Sequence, residues 1–322
     1  MIQKVLASID TEGPAGADPV ETMIYSKASN GKEYGIRYLM KMFDERGIRG
    51  LFFVDIPEIV DHGEDKIERV LKEIHDNGHD VGVHVHPDHM ADINRRHLWE
   101  YTRDEQYEII ARCTEFYEKV LKRAPVSFRA GRYGADNNTL SVLDQLGYKY
   151  DMSEFYASRY CLIRPEVAWN RIVQCGPNGL KEVPVTTFRS LSVPFYSRND
   201  QIDSGNVPSE FKRNMKLILE NGKVDVVSLF FHSFQFIDWR VNPDKPSFSN
   251  IKHKAVKKNL DLLERYKNAG AIQYISEKDL DEIPLNKEDP VGEWDASKYL
   301  SSYYYFGLRA YQTIKARIIR NV

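Results

Sequence analysis

Cysteine is scarce in this chain. Cys113, Cys161 and Cys175 are the three among 322 residues, and no two have C-x-x-C spacing. That excludes a disulfide scaffold and a cysteine-ligated zinc knuckle. No apolar stretch approaches the ~18 residues that a membrane span needs. Positive charge is not in excess either. The 45 Lys and Arg face 47 Asp and Glu, a formal net charge of -2, whereas proteins that coat nucleic acid carry a basic surplus. No nucleic-acid partner is expected. The opening MIQKVLASIDTEG enters a strand-like run at once. It lacks the basic segment, long apolar core and small-residue cleavage site of a secretory leader, so the expected location is the cytoplasm. Internal repeats and low-complexity tracts are absent.

What is present is an ordinary globular mixture, 42% hydrophobic, 29% charged and 12% aromatic. It suffices for a sizeable core and argues against disorder. Short apolar runs at 4–9, 50–55, 80–86, 126–130, 149–151, 182–185, 225–232 and 271–275 read as strands. Between them, 34–46, 66–77, 104–121, 137–146, 209–219 and 252–269 place apolar residues on one face at helical spacing, as Ile67, Val70, Leu71 and Ile74 do. Asp104 and Ser209 read as helix N-caps, and Gly47, Gly78, Gly147, Gly222 and Gly270 as C-terminal stops. This βα alternation predicts a parallel sheet wrapped by helices, with enough strands for a barrel. Catalytic groups in such folds gather at the C-terminal ends of the strands.

Three stretches depart from the alternation. Residues 158–206, rich in Pro, Arg, Ser and Asn, read as an excursion from the barrel that carries substrate loops. After residue 283 the character changes, giving two expected units: a barrel over 1–283 and a C-terminal extension over 284–322. The extension starts as a polar linker with Pro284 and Pro290. It continues into a segment with Lys298, Arg309, Lys315, Arg317 and Arg320, no acidic side chain from 296 on, and Leu300, Tyr304, Leu308, Tyr311, Ile314 and Ile318 at helical spacing. That is a basic amphipathic helix. Two readings stand side by side: packing on the barrel or another subunit, or peripheral contact with an anionic membrane.

The polar residues that end the apolar runs carry the chemistry. The first run ends in Asp10-Thr11-Glu12, the third in His84, His86 and then His89, the fourth in Arg129 and Tyr133, the fifth in Asp151, and the seventh in His232. Side chains at i and i+2 of a strand share a face, so Asp10 and Glu12 sit side by side, as do His84 and His86. Adjacent carboxylates repel unless a cation or a proton intervenes. Two imidazoles and a carboxylate with an open position make a catalytic site for zinc or a related metal. Taken singly, each feature has a plainer explanation: a solvated strand end for Asp10 and Glu12, an ordinary turn for 128–134, a satisfied core histidine for His232.

Together these pieces resemble the polysaccharide deacetylase family, the NodB-like carbohydrate esterases of family 4. Ser8 to Gly13 is similar to the first motif, usually T-F-D-D-G. His84 to His89 is similar to the second, usually H-[ST]-x-x-H. Phe128 to Gly134 resembles the third, usually R-x-P-Y, Tyr150-Asp151 the fourth, and Leu229 to His232 the fifth, usually L-x-L-H. The order holds across 1–283. The resemblance implies a distorted (β/α) barrel of about seven strands and metal-dependent hydrolysis of an N-acetyl group on a sugar. It implies Asp10 as general base, Glu12 and His84 as metal ligands, and His232 as general acid. Arg129 would orient Asp10, the Tyr133 backbone N–H would help hold the oxyanion, and Asp151 would support the acid–base pair from behind.

This sequence departs from the family pattern in three ways. Glu12 stands for the usual Asp and follows an inserted Thr11. Asp88 occupies the position four after His84, so the second histidine ligand is His86, favoured because it shares a strand face with His84, or His89. The third motif has an extra residue, which makes Arg132 an alternative to Arg129. The D-x-E and H-x-H-P forms resemble a bacterial subgroup associated with cell-surface polysaccharide synthesis. The expected substrate is an N-acetylated sugar of O-antigen or capsule, or a lipid-linked precursor. The expected cofactor is a divalent metal, zinc first, with cobalt, nickel, iron or manganese as other candidates. The rival readings are a non-catalytic, metal-containing carbohydrate-binding protein and an amidohydrolase acting on another carbon–nitrogen bond. The oligomeric state is open.

Overall fold

The computed structural model describes residues 2–156, 158–163, 170–193, 196–285 and 307. In chain order its strands are β1 (Gln3–Thr11), β2 (Leu51–Asp55), β3 (Asp80–Val85), β4 (Ser127–Ala130), β5 (Tyr150–Asp151), β6 (Val173–Gln174), β7 (Lys181–Glu182), β8 (Thr187–Val193), β9 (Tyr196–Gln201), β10 (Val226–His232), β11 (Ile237–Asp238), β12 (Ser247–Phe248) and β13 (Ile272–Tyr274). The α-helices are α1 (Ile36–Asp44), α2 (Ile59–His62), α3 (Glu64–Asp76), α4 (Arg103–Leu121), α5 (Asn137–Gln145), α6 (Pro208–Asn221) and α7 (Asn250–Asn268).

Nine of the described strands form one curled sheet in the order β10-β1-β2-β3-β4-β5-β7-β6, with β13 joining β1 beside its first residues. All its pairings are parallel except β6 with β7. This is the expected distorted (β/α) barrel, left open rather than closed. The two-residue β6 was not foreseen, being too short to show a period. The segment 158–206 is only partly an excursion. It contributes β6 and β7 to the sheet, and β8 and β9 stand apart as an antiparallel hairpin.

The period-2 pattern divides each strand between two cores. Val5, Ala7, Ile9, Phe52, Val54, Val81, Val83, Val85, Val227, Leu229 and Phe231 pack outward under the helices. Leu6, Leu51, Phe53 and Val226 pack into the barrel with Tyr150, Met152 and Val183. Helix faces meet this outer surface as their spacing dictates; Ile67, Val70, Leu71 and Ile74 of α3 are all buried. Gly82 is required by the barrel filling. A Cβ there would lie 2.7 Å from the Phe53 ring.

The five glycines read as helix stops all have positive φ. The two N-caps fall elsewhere. Thr102 caps α4 in a reciprocal box with Glu105, and α6 starts at Pro208 with Val207 at the cap position and no side-chain cap. A hydroxyl with a glutamate three residues on outcompetes Asp104, and proline suits the first helical turn. At the C-terminal side the described chain runs to Leu285, which packs with Ile283 against the inner core. Apart from Gly307, the basic segment 296–322 lies outside the described residues.

Candidate active site

Parallel strands in register bring their ends to one rim. Asp10 is paired with His232 across β1 and β10, Asp55 with His84 across β2 and β3, and His84 with Arg129 across β3 and β4. Each is the inward residue of its pair, because its neighbours in sequence are outward apolar residues such as Ile9, Val83 and Phe231.

Ligand atoms of Glu12, His84 and His86 lie within 4.8 Å of one another. His84 Nε2 is 3.5 Å from Glu12 Oε2 and 4.0 Å from Asp10 Oδ2. Its other ring nitrogen, Nδ1, donates to the backbone carbonyl of Arg129 at 2.8 Å. That bond fixes the tautomer and leaves Nε2 as a buried lone pair without a partner. His86 Nε2 is 2.7 Å from Glu12 Oε2 in a geometry that makes no hydrogen bond, and both its ring nitrogens are buried and unpartnered. Burial pushes the His86 imidazole down against the pull of Glu12. For Glu12, burial acts upward, but the facing imidazoles outweigh it and hold the carboxyl well below its usual range. The carboxylate thus calls for a positive partner that a buried imidazole supplies poorly. Orphaned imidazole nitrogens around one carboxylate fit a borderline divalent cation. Gly131 makes room for this ring. A Cβ there would lie 2.5 Å from His86 Cδ2.

Arg129 is wholly buried and donates to Asp10 Oδ1 at 2.7 Å, Ser8 Oγ at 2.9 Å and the Met152 carbonyl at 3.2 Å. Its guanidinium stacks on Phe53. Arg132 instead donates to Asp88 at 2.8 Å, so the structure brings Arg129 and not Arg132 to Asp10. Arg132 and Tyr133 both have left-handed backbone, φ 54° and 58°. That is an uncommon, strained turn for two non-glycine residues beside a site. The Tyr133 hydroxyl donates to Gln201 at 3.1 Å.

His232 Nε2 is 3.8 Å from Glu12 Oε1, and its ring is flanked by Phe230 and Phe234. Asp151 is not behind it. The Asp151 carboxyl accepts from Ser153 Oγ at 2.6 Å, and Ser153 Oγ accepts from Ala130 N at 2.8 Å, so Asp151 braces the strand end that carries Arg129. Its other neighbour is Glu182. Burial drives both carboxyls up, Glu182 the more strongly, and Glu182 also feels the Asp151 charge. Asp151 is the second residue of a two-residue strand and turns toward β7 rather than β10. Besides Glu12, the acidic side chain near enough to interact with the His232 ring is Asp203. Burial raises the Asp203 carboxyl while the Gly205 N–H, His232 and two glutamines pull it down. Sequence reasoning missed Asp203 inside the segment taken as loops. The signal was weak, a single Asp in I-D-S-G, and its place follows from a bridge to Phe230 on β10.

His89 does not join Glu12 and His84. It falls one turn past the strand, in the 3-10 turn Pro87–His89, and groups with Asp55 and Glu58.

Fold and site together define a curled (β/α) barrel with carboxyl, imidazole and guanidinium groups gathered on one rim. Residues 21–150 match the family model described as polysaccharide deacetylase. A Mycobacterium smegmatis protein assigned as a polysaccharide deacetylase has the same fold, with TM-score 0.58 at 17% identity over 90% of this chain and 94% of that one. The Xyl-CE4 domain of a multidomain xylanase from the hindgut metagenome of Trinervitermes trinervoides aligns over 91% of this chain and 96% of its own, at TM-score 0.45 and 11% identity. A peptidoglycan deacetylase-like protein of Gibberella zeae is 28% identical over 131 residues, which is 40% of this chain and 35% of that protein. The chain thus spans about a third of the length of the curated relative it matches. Residues 21–150 are thus similar to polysaccharide deacetylases, and the described fold is that of the Mycobacterium smegmatis protein.

Proposed function

We propose that this protein hydrolyses the N-acetyl group of an amino sugar in a cell-surface glycan or its precursor, with a divalent cation held by Glu12, His84 and His86. The observation that supports this most is the Asp10–Arg129 pair, buried beside that ligand set and opposite His232 in the strand register. A cation of zinc's type, when bound, polarises the acyl carbonyl and makes water more acidic. Asp10 takes a proton from the attacking water, and Arg129 holds its carboxylate in one orientation. The Tyr133 N–H, in its left-handed turn, serves the oxyanion. His232 gives a proton to the sugar nitrogen as the carbon–nitrogen bond breaks, because an amide anion is too poor a leaving group. Acetate and a free amine leave. Asp203 steadies the charge that His232 carries.

The D-x-E and H-x-H-P forms support a surface-glycan substrate, and the basic residues from Lys298 to Arg320 support one that is lipid-linked and met at a membrane face. No described helix is long and apolar enough to cross a membrane. The test is acetate release from N-acetylated amino sugars with added zinc, cobalt or manganese. Asp10→Asn should keep its metal and lose at least about 100-fold in turnover; His84→Ala should lose the metal. Full activity in either variant, or acetate release that no metal stimulates, overturns the assignment.

A further inference from the structure

A second group of ligand-type side chains lies behind the first. Ligand atoms of Asp55, Glu58 and His89 fall within 4.8 Å of one another. Asp55 ends β2, and Glu58 follows in the 3-10 turn Ile56–Glu58; both side chains are 1% exposed. Each carboxyl spends one oxygen on the backbone next to the first site. Asp55 Oδ1 accepts from His86 N at 3.0 Å and Glu58 Oε1 from Gly13 N at 2.5 Å. The remaining oxygens, Asp55 Oδ2 and Glu58 Oε2, are buried with no hydrogen-bond partner. Among the described residues, their ion pairs are with histidines alone: Asp55 Oδ2 with His89 Nε2 at 3.9 Å and Glu58 Oε2 with His62 Nε2 at 3.9 Å.

The histidines are prepared as acceptors. His89 Nδ1 faces Asp61 Oδ2 at 2.5 Å, which places the proton on Nδ1 and turns the Nε2 lone pair toward Asp55. His62 Nε2 is likewise buried and unpartnered. Lone pairs of two carboxylates and the His89 imidazole facing one another repel unless something positive lies between, and His62 faces the Glu58 carboxyl from beside the group. Metal–ligand bonds of about 2.0–2.2 Å set ligand atoms roughly 3–4 Å apart around one ion. The 3.9 Å between Asp55 Oδ2 and His89 Nε2 matches that spacing.

We propose that Asp55, Glu58 and His89, with His62 as a further donor, form a second divalent-cation site. The donor set of two oxygens and one or two imidazole nitrogens suits zinc or manganese. Its ion holds the two carboxyls that grip the backbone of His86 and of Gly13, next to Glu12. The second ion is therefore a brace for the first ligand set.

The test is the saturating metal stoichiometry of chelator-stripped full-length protein, titrated with zinc by calorimetry and read independently by elemental analysis. The native protein should take two equivalents, and His89→Gln and the near-isosteric Glu58→Gln should each take one. The remaining site in these variants should bind about 10-fold more weakly, as the loss of outer support does elsewhere. Anomalous scattering at the zinc edge should show a peak between Asp55 and His89 in the native protein, which needs no variant. If His89→Gln and Glu58→Gln leave the native stoichiometry unchanged, or no such peak is present, protons rather than a cation hold these carboxyls together and the proposal is wrong. The hydrolytic assignment is read separately. If His84→Gln leaves the stoichiometry native while His89→Gln lowers it, the second site stands and the Glu12-centred one does not.

Discussion

Arg129→Met removes a fully buried guanidinium and leaves three acceptors stranded: Asp10 Oδ1, Ser8 Oγ and the Met152 carbonyl. Met fills much of the space over Phe53, so the loss is mainly electrostatic. Breaking a buried ion pair from one side costs about 3–5 kcal/mol, because the other charge is left uncompensated. Simple addition of three charged hydrogen bonds would give more, but they act as a unit and do not add. The double variant Asp10→Asn, Arg129→Met removes both charges and should recover at least about 1–2 kcal/mol of that loss. The assay is urea denaturation of the four members of the cycle at neutral pH, with zinc held constant. Metal content should be nearly unchanged in all four, because His84 is held by the backbone carbonyl of Arg129 and not by its side chain. A loss below about 1 kcal/mol in Arg129→Met, or a coupling of zero between the two positions, would refute the view that this pair is a desolvated unit.

Gly131→Ala drives a methyl group into the His86 ring and should weaken metal binding about 10- to 100-fold while leaving most of the fold intact; zinc calorimetry reads it. Glu277 is buried beside Ser127 and Asp80, and burial pushes its carboxyl up to about 7. The folded state therefore holds this proton more tightly than the unfolded chain. The resulting stability is complete below the unfolded value near 4.5 and is lost as pH rises through about 7. Glu277→Gln should flatten the stability profile across that window and gain about 2–3 kcal/mol at pH 8, read by denaturation at several pH values. Asp203→Asn should change the pH dependence of turnover through His232 while leaving metal stoichiometry alone; an unchanged profile removes Asp203 from the acid's surroundings.

Much of the scaffold was legible because local rules and tertiary demands agree. In V-G-V-H-V-H the valines face the helices and the glycine and histidines face the barrel, so one alternation encodes both core and site. Helix faces and glycine stops were legible for the same reason: their signals lie within a few residues of one another. Caps were less so. Asp104 and Ser209 are good capping residue types, and the selection of Thr102 and Pro208 depends on which turn the packed helix starts from.

The chain order alone determined which residue types end which strands, and hence that Asp10, Glu12, His84, His86, Arg129 and His232 share a rim once parallel strands align. Tertiary structure alone decided the choices between near neighbours. Arg129 rather than Arg132 meets Asp10 because one is on the strand and the other in the left-handed turn. His86 rather than His89 meets Glu12 because the chain leaves the strand at Pro87. Asp203 and not Asp151 faces His232, since contacts across 29 residues of sequence depend on how a loop returns to the sheet edge. Periodicity records which side of a strand a residue occupies. It carries no information on where an irregular segment comes back, and there the packed chain, not the pattern, selects the partner.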